Sequence, residues 1–253
     1  MESEIVNEVA KNLPVKEVYN DLAHPTLSTI GKTLQGVARV ALAPVSALVW
    51  GYDKIASYLD VAIPEYFAKR KIKKENIKSP DPSIAVPIIE ALRYTSHKQE
   101  LREMFTNLLG SSMNSEKYDE HPAFVEIIKQ LCTDECKMIK YLHLNPKLPI
   151  IKIRLKHEGG GESDFIPYFS NICFNISCEM PFKFPEYLYN LQRLGIISIC
   201  EDRYLVDDTK YKDLRTSPHF PKFVFVDDQQ TVEKKGFFEL TEFGKRFCSA
   251  CVC

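Results

Sequence analysis

The hydrophobic pattern of this chain changes from a helical period to an alternating one at Pro149, and this change constrains the fold more than any other feature. Before Pro149, apolar residues recur at steps of three and four, as on one face of a helix. From Ile151 to Leu155 they alternate with Lys152 and Arg154, which indicates a strand with one buried face. We therefore predict a mainly α protein with a smaller α+β part.

A helical core is predicted over residues 81–145, where apolar faces follow one another between polar breaks. Ser96 and Gln99 have the spacing of a capping box at the start of its second helix. Pro122 suits the first turn of the third helix, and Thr133 can cap a fourth. Together with the residues before it, this core forms the N-terminal helical bundle.

The N-terminal part, residues 1–80, contains a short apolar segment. Residues 40–50 have Ser46 as their single polar interruption and include Pro44. A membrane span needs about 20 apolar residues, so we interpret the segment as a core helix with a proline kink. A membrane-seeking or partner-seeking role for residues 27–60 stays open. The residues of that candidate surface are Leu42, Val45, Leu48 and Trp50.

A basic block, KRKIKKENIK, occupies residues 69–78, and the Ser-Pro-Asp-Pro at 79–82 ends it. We interpret it as a solvated helix end or linker, with contact to an anionic membrane or to nucleic acid as the alternative. Because the block is so densely charged, we expect its side chains to be dispensable for the fold. The candidates are Lys69, Arg70, Lys71, Lys73 and Lys74.

Charge and cysteine content exclude several classes of protein. The net charge of −1 provides no long-range field to attract nucleic acid or lipid, so any such binding requires a local patch. The acidic N-terminus lacks the pattern of a signal peptide, which predicts a cytoplasmic protein, with membrane association left open. The eight cysteines lack the spacing of a structural zinc site. We expect free thiols, no metal and no cofactor.

Residues 146–253 are predicted to form a winged-helix-like module, with 134–145 as a candidate part of the same unit. The Gly-Gly-Gly at 159–161 is read as a loop tip, because the Gly-Lys-Ser/Thr of a phosphate-binding loop does not follow it. Thr241 is expected to cap the closing helix. The predicted elements are a strand at 150–156, a short helix near 167–176, a helix at 184–194 and a hairpin with an insertion at about 207–230.

No sequence motif of an enzyme is present, so we expect no catalytic residues. In a winged helix the 184–194 helix could enter a DNA groove, but it offers only Arg193, with Lys183 before it. A polar helix face is the other candidate binding site. Its residues are Glu90, Arg93, Arg102, Glu103 and Asn107.

Several phrases of the chain resemble the abortive infection alpha (Abi-alpha) family of bacterial proteins. They are WGYDKI (50–55), EALRYTSHKQELREMFTNLLGSSM (90–113), HPAFVEIIKQL (121–131), YNLQRLGII (189–197) and ELTEFGKRFCSAC (239–251). The resemblance implies phage defence with death or dormancy of the infected cell, and it implies no catalytic residues. Our leading hypothesis is defence by binding a protein partner or phage component. The alternatives are a membrane-perturbing effector using residues 27–60 and a winged-helix regulator that binds nucleic acid.

Overall fold

The computed structural model describes residues 49–116, 120–221 and 231–252. Leu42, Val45 and Leu48 lie outside these residues, as does most of the apolar segment predicted to form a kinked core helix. The described part is a mixed α+β structure, mainly α, with one four-stranded antiparallel sheet. This confirms the mainly helical class with a smaller α+β part.

Five helices form the first half of the described chain. The third of them, α3, contacts each of the other four and the last helix of the chain. Met104, Phe105 and Leu108 on α3 are fully buried. The bounds are α1 Tyr52–Lys69, α2 Pro82–Thr95, α3 Gln99–Ser112, α4 Ala123–Lys129 and α5 Thr133–Leu144.

The second half contains the sheet, whose strand order is β2-β1-β4-β3 with every neighbouring pair antiparallel. Ile150 of β1 and Phe238 of β4 face the helices and join the main core. The bounds are β1 Lys147–Lys156, β2 Glu162–Phe169, α6 Ile172–Asn175, α7 Phe184–Arg193, β3 Ile197–Cys200, α8 Thr209–Arg215, β4 Thr231–Leu240 and α9 Glu242–Cys251.

The central strand β1 is covered on both faces, whereas its alternating sequence predicted one solvated face. Ile151 and Ile153 are fully buried on the side away from the helices. There they pack with Tyr211 and Leu214 of α8. The insertion between β3 and β4 therefore supplies a third layer over the sheet.

One strand, β2, was not predicted. The predicted short helix near 167–176 is present only as α6, and residues 167–169 belong instead to the end of β2. The glycines at 159–161 form the tip of the β1–β2 hairpin, in agreement with the predicted loop tip. Strand β2 lacks a clear alternating pattern because it is an edge strand with register shifts and its residues 163–165 are exposed. Its Pro167 is compatible with an edge position.

The predicted hairpin after the 184–194 helix is formed by β3 and β4, which pair across the insertion. Residues 203–206, directly after β3, do not form a strand.

Two helix caps also differ from the prediction. The Ser96 hydroxyl donates to the carbonyl oxygen of Leu92 in its own helix, so it does not cap α3, and α3 begins after Lys98. Helix α5 is capped by Cys132 rather than Thr133. The amide of Glu135 donates to Cys132 Sγ at 3.5 Å and the Glu135 carboxylate accepts from the Cys132 amide at 2.8 Å. A thiol therefore serves in a capping box in place of a hydroxyl.

One hydrophobic core runs through the described part. It includes residues from Ile55 of α1 to Cys251 of α9, and side chains from both sides of residue 145 pack within it. The division of the chain into 1–80, 81–145 and 146–253 remains a prediction from sequence.

The predicted cap at Thr241 is present, and its hydroxyl connects the turn at Gly195 to the first turn of α9. The Thr241 hydroxyl donates to the carbonyl oxygen of Gly195 at 2.6 Å and accepts from the amide of Gly244 at 2.8 Å. Gly195 has φ +75, which a glycine adopts without steric cost. A Cβ at Gly244 would overlap the Ile196 carbonyl, with 2.9 Å to its carbon. Close approach of α9 to the start of β3 therefore requires glycine at 244.

We expect Gly244→Ala to lower the free energy of unfolding by about 3 kcal/mol, because backbone rather than a flexible side chain obstructs the new methyl group. Urea denaturation measures the change. Gly159→Ala is the matched control, since nothing lies within 4 Å of a Cβ there. Equal stability of the two variants would contradict the close approach.

Candidate functional site

The polar face of α3 is half-buried and bonded within the protein. Glu103 accepts hydrogen bonds from Lys140 Nζ at 2.6 Å and from Gln99 Nε2 at 2.8 Å. Burial raises the pKa of the Glu103 carboxyl, but these hydrogen bonds outweigh it and hold the pKa below its ordinary value. Glu103 therefore links α3 to α5.

Arg102 lies beside two aromatic rings. Its guanidinium carbon is 5.5 Å from the centroid of the Trp50 ring and 5.3 Å from that of Tyr58. It also donates to the carbonyl oxygen of Ser96 at 2.8 Å. Trp50 is half-buried and packs against the core, so this predicted surface residue is in contact with the rest of the protein.

Asn107, in the middle of α3, joins that helix to the ends of α1 and α9. Its side-chain amide donates to the carbonyl oxygen of Cys251 at 3.0 Å and accepts from Arg70 Nη2 at 3.4 Å. Arg70 also stacks on the buried Tyr66, with its guanidinium carbon 3.9 Å from the ring centroid. Asn107 and Arg70 thus hold the end of α1 against α3 and α9.

The other two predicted site residues, Glu90 and Arg93, are exposed on α2. The backbone carbonyl of Arg93 accepts from the Trp50 amide at 2.7 Å. Among the described residues, the five candidates thus divide between an exposed helix and a half-buried helix face that holds neighbouring helices together.

The segment of residues 69–78, which we call the basic loop, is held by backbone hydrogen bonds. At its beginning the Ile72 amide donates to the Phe67 carbonyl at 3.0 Å. At its end Ile77 forms a β-bridge with Asn114, and the Lys78 amide donates to the Met113 carbonyl at 2.8 Å. The interpretation as a simple linker is therefore wrong in one respect: the loop is bonded along the end of α3.

The basic loop exposes four of its five candidate cations. Lys69 and Lys73 side chains are 75% and 74% exposed, and Lys71 and Lys74 are also exposed. Lys69 lies 3.9 Å from a carboxylate of Glu65, and Lys73 lies 3.5 Å from one of Glu75. Such exposed pairs contribute about 0–1 kcal/mol, so these lysines remain available to an anionic partner.

The fifth cation, Arg70, has a different role. Its contacts with Tyr66 and Asn107 make it part of the packing, which corrects the expectation that the whole block is dispensable for the fold. We expect Arg70→Gln to lower the free energy of unfolding by about 1 kcal/mol. Urea denaturation of Lys71→Gln, expected to stay within about 0.5 kcal/mol of the parent, is the control. A smaller effect at Arg70 than at Lys71 would contradict this role.

Sequence reasoning missed Asp134, a buried carboxylate in the first turn of α5. It accepts from the amides of Glu179 and Met180 at 2.9 and 3.0 Å and from the Tyr187 hydroxyl at 2.9 Å. Burial raises its pKa, but these donors outweigh burial and hold the pKa below its ordinary value. Asp134 therefore connects α5 to the loop before α7.

Asp134→Asn is expected to cost about 2 kcal/mol at pH 7, because an amide cannot accept on both atoms. Since the folded pKa is depressed, the stabilisation is present above the unfolded value of about 3.9 and is lost as pH falls through the folded value. Denaturation between pH 3 and pH 7 should show the two proteins converging at low pH. Asp60→Asn, at an exposed position, is the control; a pH-independent difference would contradict the ionised role.

Among the described cysteines, Cys132, Cys136, Cys173, Cys178 and Cys200 are free thiols. Burial raises the pKa of Cys132 to about 11 and raises those of Cys136 and Cys173 as well. The described part contains no group of three or more His, Cys, Asp or Glu side chains arranged to hold a metal ion. Cys132, Cys136 and Cys173 are therefore protonated packing groups, as is usual for buried cysteine.

A family model, abortive infection alpha, matches residues 59–251. The chain belongs to the abortive infection alpha family. The matched region begins within α1 and extends to the end of α9, so it contains the whole sheet, α3 and the basic loop. This confirms the resemblance found in the sequence.

Other comparisons add little to the family assignment. No curated protein matches this chain. An uncharacterised protein from the hydrocarbon-degrading marine bacterium Alcanivorax borkumensis SK2 is similar in structure at 12% identity and a TM-score of 0.37, covering 51% of this chain and 92% of that one. Those values are too low to inform fold or function. In the described residues, no helix has both the length and the apolar character needed to cross a membrane.

Proposed function

We propose that this Abi-alpha protein defends cells against phage from the cytoplasm by binding an anionic partner, rather than by bond-making chemistry. The basic loop is its contact surface. The observation that carries the proposal is the loop's order: four exposed lysines stand on a backbone that is hydrogen-bonded to α1 and to the end of α3. The family assignment supports the defence role.

An ordered loop suits a binding role because association loses less conformational entropy when the contact surface is already in place. Arg70 contributes by packing on Tyr66 and bonding Asn107, which leaves Lys69 and Lys71 on either side of a fixed residue. A mobile linker would have to be ordered at the moment of binding. The basic loop avoids that cost.

Charge distribution also favours this surface. Residues 69–78 contain six basic residues and one acidic residue, a net charge of +5, whereas the whole chain has −1. The remaining residues therefore carry a net −6. A partner with negative charge is attracted to the basic loop and repelled elsewhere.

The module from α5 to α9 supports a winged-helix comparison, in which α7 is the helix before the β3–β4 pair and α9 closes the unit. Arg193, the cation of α7, donates to Gln130 and Asn190 at 2.9 and 2.7 Å. We propose that this module is structural in the defence role. Anionic contacts fall to the basic loop, because the Arg193 guanidinium is engaged in these two hydrogen bonds.

The test neutralises four exposed lysines and retains Arg70. The basic-loop variant combines Lys69→Gln, Lys71→Gln, Lys73→Gln and Lys74→Gln. We expect its melting temperature to stay within about 2 °C of that of the parent protein. We expect it to lose phage protection, measured as efficiency of plating in cells that express the protein. The matched control replaces four exposed lysines elsewhere, Lys98, Lys156, Lys183 and Lys210, by glutamine.

Full protection by the folded basic-loop variant would refute the proposal. Equal loss of protection in the control variant would do the same, because it would show that net charge matters rather than this surface. Arg70 is retained so that loss of packing cannot be mistaken for loss of binding.

A further inference from the structure

We infer that the anionic partner of the basic loop is the phosphate backbone of a nucleic acid, contacted without sequence preference. This inference rests on the proposed function and narrows its partner to one chemical class. Three features of the described residues carry it: the spacing of the lysines, the carboxylates on α1 and the packing of Arg70.

The lysines form a narrow strip. The run from Lys69 to Lys74 is six residues long, and even a fully extended chain of that length spans only about 20 Å. A nucleic-acid strand in a duplex presents a phosphate roughly every 3.4 Å along the helix axis. A strand crossing the basic loop therefore brings several phosphates within reach of four flexible ammonium groups.

The charge along α1 disfavours a membrane as the partner. Over its length of about 27 Å, α1 exposes the carboxylates of Asp53, Asp60 and Glu65 and, before Lys69, the single ammonium group of Lys54. A flat anionic membrane that lay along both α1 and the loop would meet exposed carboxylates, which offset the roughly 1 kcal/mol of attraction that each lysine provides. A thin strand can cross the loop at an angle to α1 and meet the lysines alone.

We expect no sequence preference because Arg70, the guanidinium of the basic loop, is engaged within the protein and does not face the partner. Guanidinium groups read bases through bidentate hydrogen bonds, whereas lysine acts on phosphate as a point charge. Arg70 is the guanidinium of the basic loop, and it is stacked on Tyr66 and bonded to Asn107. The groups that remain for the partner are ammonium groups, which contact phosphate without reading sequence.

The experiment measures fluorescence anisotropy of labelled 20-mers with the full chain. Single-stranded DNA, duplex DNA and RNA of two unrelated sequences are compared between 50 and 300 mM salt. Four phosphate contacts predict a slope of about −3 to −4 in log K against log salt, and affinities within about threefold between sequences. The basic-loop variant should bind at least tenfold more weakly with a flatter slope, and the control variant should match the parent.

Vesicles of phosphatidylcholine with 30% phosphatidylglycerol (roughly the anionic fraction needed to attract a polybasic segment) serve as the second probe. Failure to bind any nucleic acid at 50 mM salt would overturn the inference, as would binding that the basic-loop variant retains. Vesicle binding that depends on the basic loop, without nucleic-acid binding, would identify a membrane instead.

If the basic-loop variant loses protection while the parent binds no nucleic acid, the inference fails and the proposed function stands. If it loses nucleic-acid binding yet protects fully, the proposed function fails.

Discussion

The close packing of α1 on α3 at Gly110 determines where the rest of the helical part lies. Gly110 leaves its helix surface open, and the Tyr66 ring occupies that space; a Cβ there would lie 2.7 Å from ring carbons. The Tyr66 ring in turn carries the stacked guanidinium of Arg70. One missing side chain in α3 thus positions the end of α1 and the start of the basic loop.

Helix α3 contains much of the central phrase on which the resemblance to the family rests. Its apolar side is buried among five helices, and its polar side chains are bonded to neighbouring elements rather than left to solvent. The Arg102 guanidinium contacts two aromatic rings. The Glu103 carboxylate accepts a hydrogen bond from Lys140, and the Asn107 side chain accepts one from Arg70. In this structure the residues that carry the resemblance act in packing, so the phrase identifies the fold more directly than the binding surface.

Much of the fold could be predicted from local pattern, and the failures have a common physical cause. Helical periodicity located α2, α3 and α5, and alternation located β1, because each signal depends on neighbours along the chain. Strand β2 was missed because it lies at a sheet edge, where residues 163–165 are exposed and no apolar alternation marks the strand. Asp134 was missed because its donors lie about 45 residues away and are mostly backbone amides.

The candidate site could also be predicted only in part from local sequence pattern, and the structure adds one distinction among its cations. Sequence located the basic block but treated its cations as equivalent, whereas packing separates Arg70 from the lysines. Lys71 adopts φ +54, a conformation that costs a non-glycine residue about 1–2 kcal/mol. Glycine would fit that turn with less strain but would remove a charge from the centre of the exposed strip. A lysine at this strained turn is physically consistent with a surface at which the positive charge matters more than the small loss of stability that the strain causes.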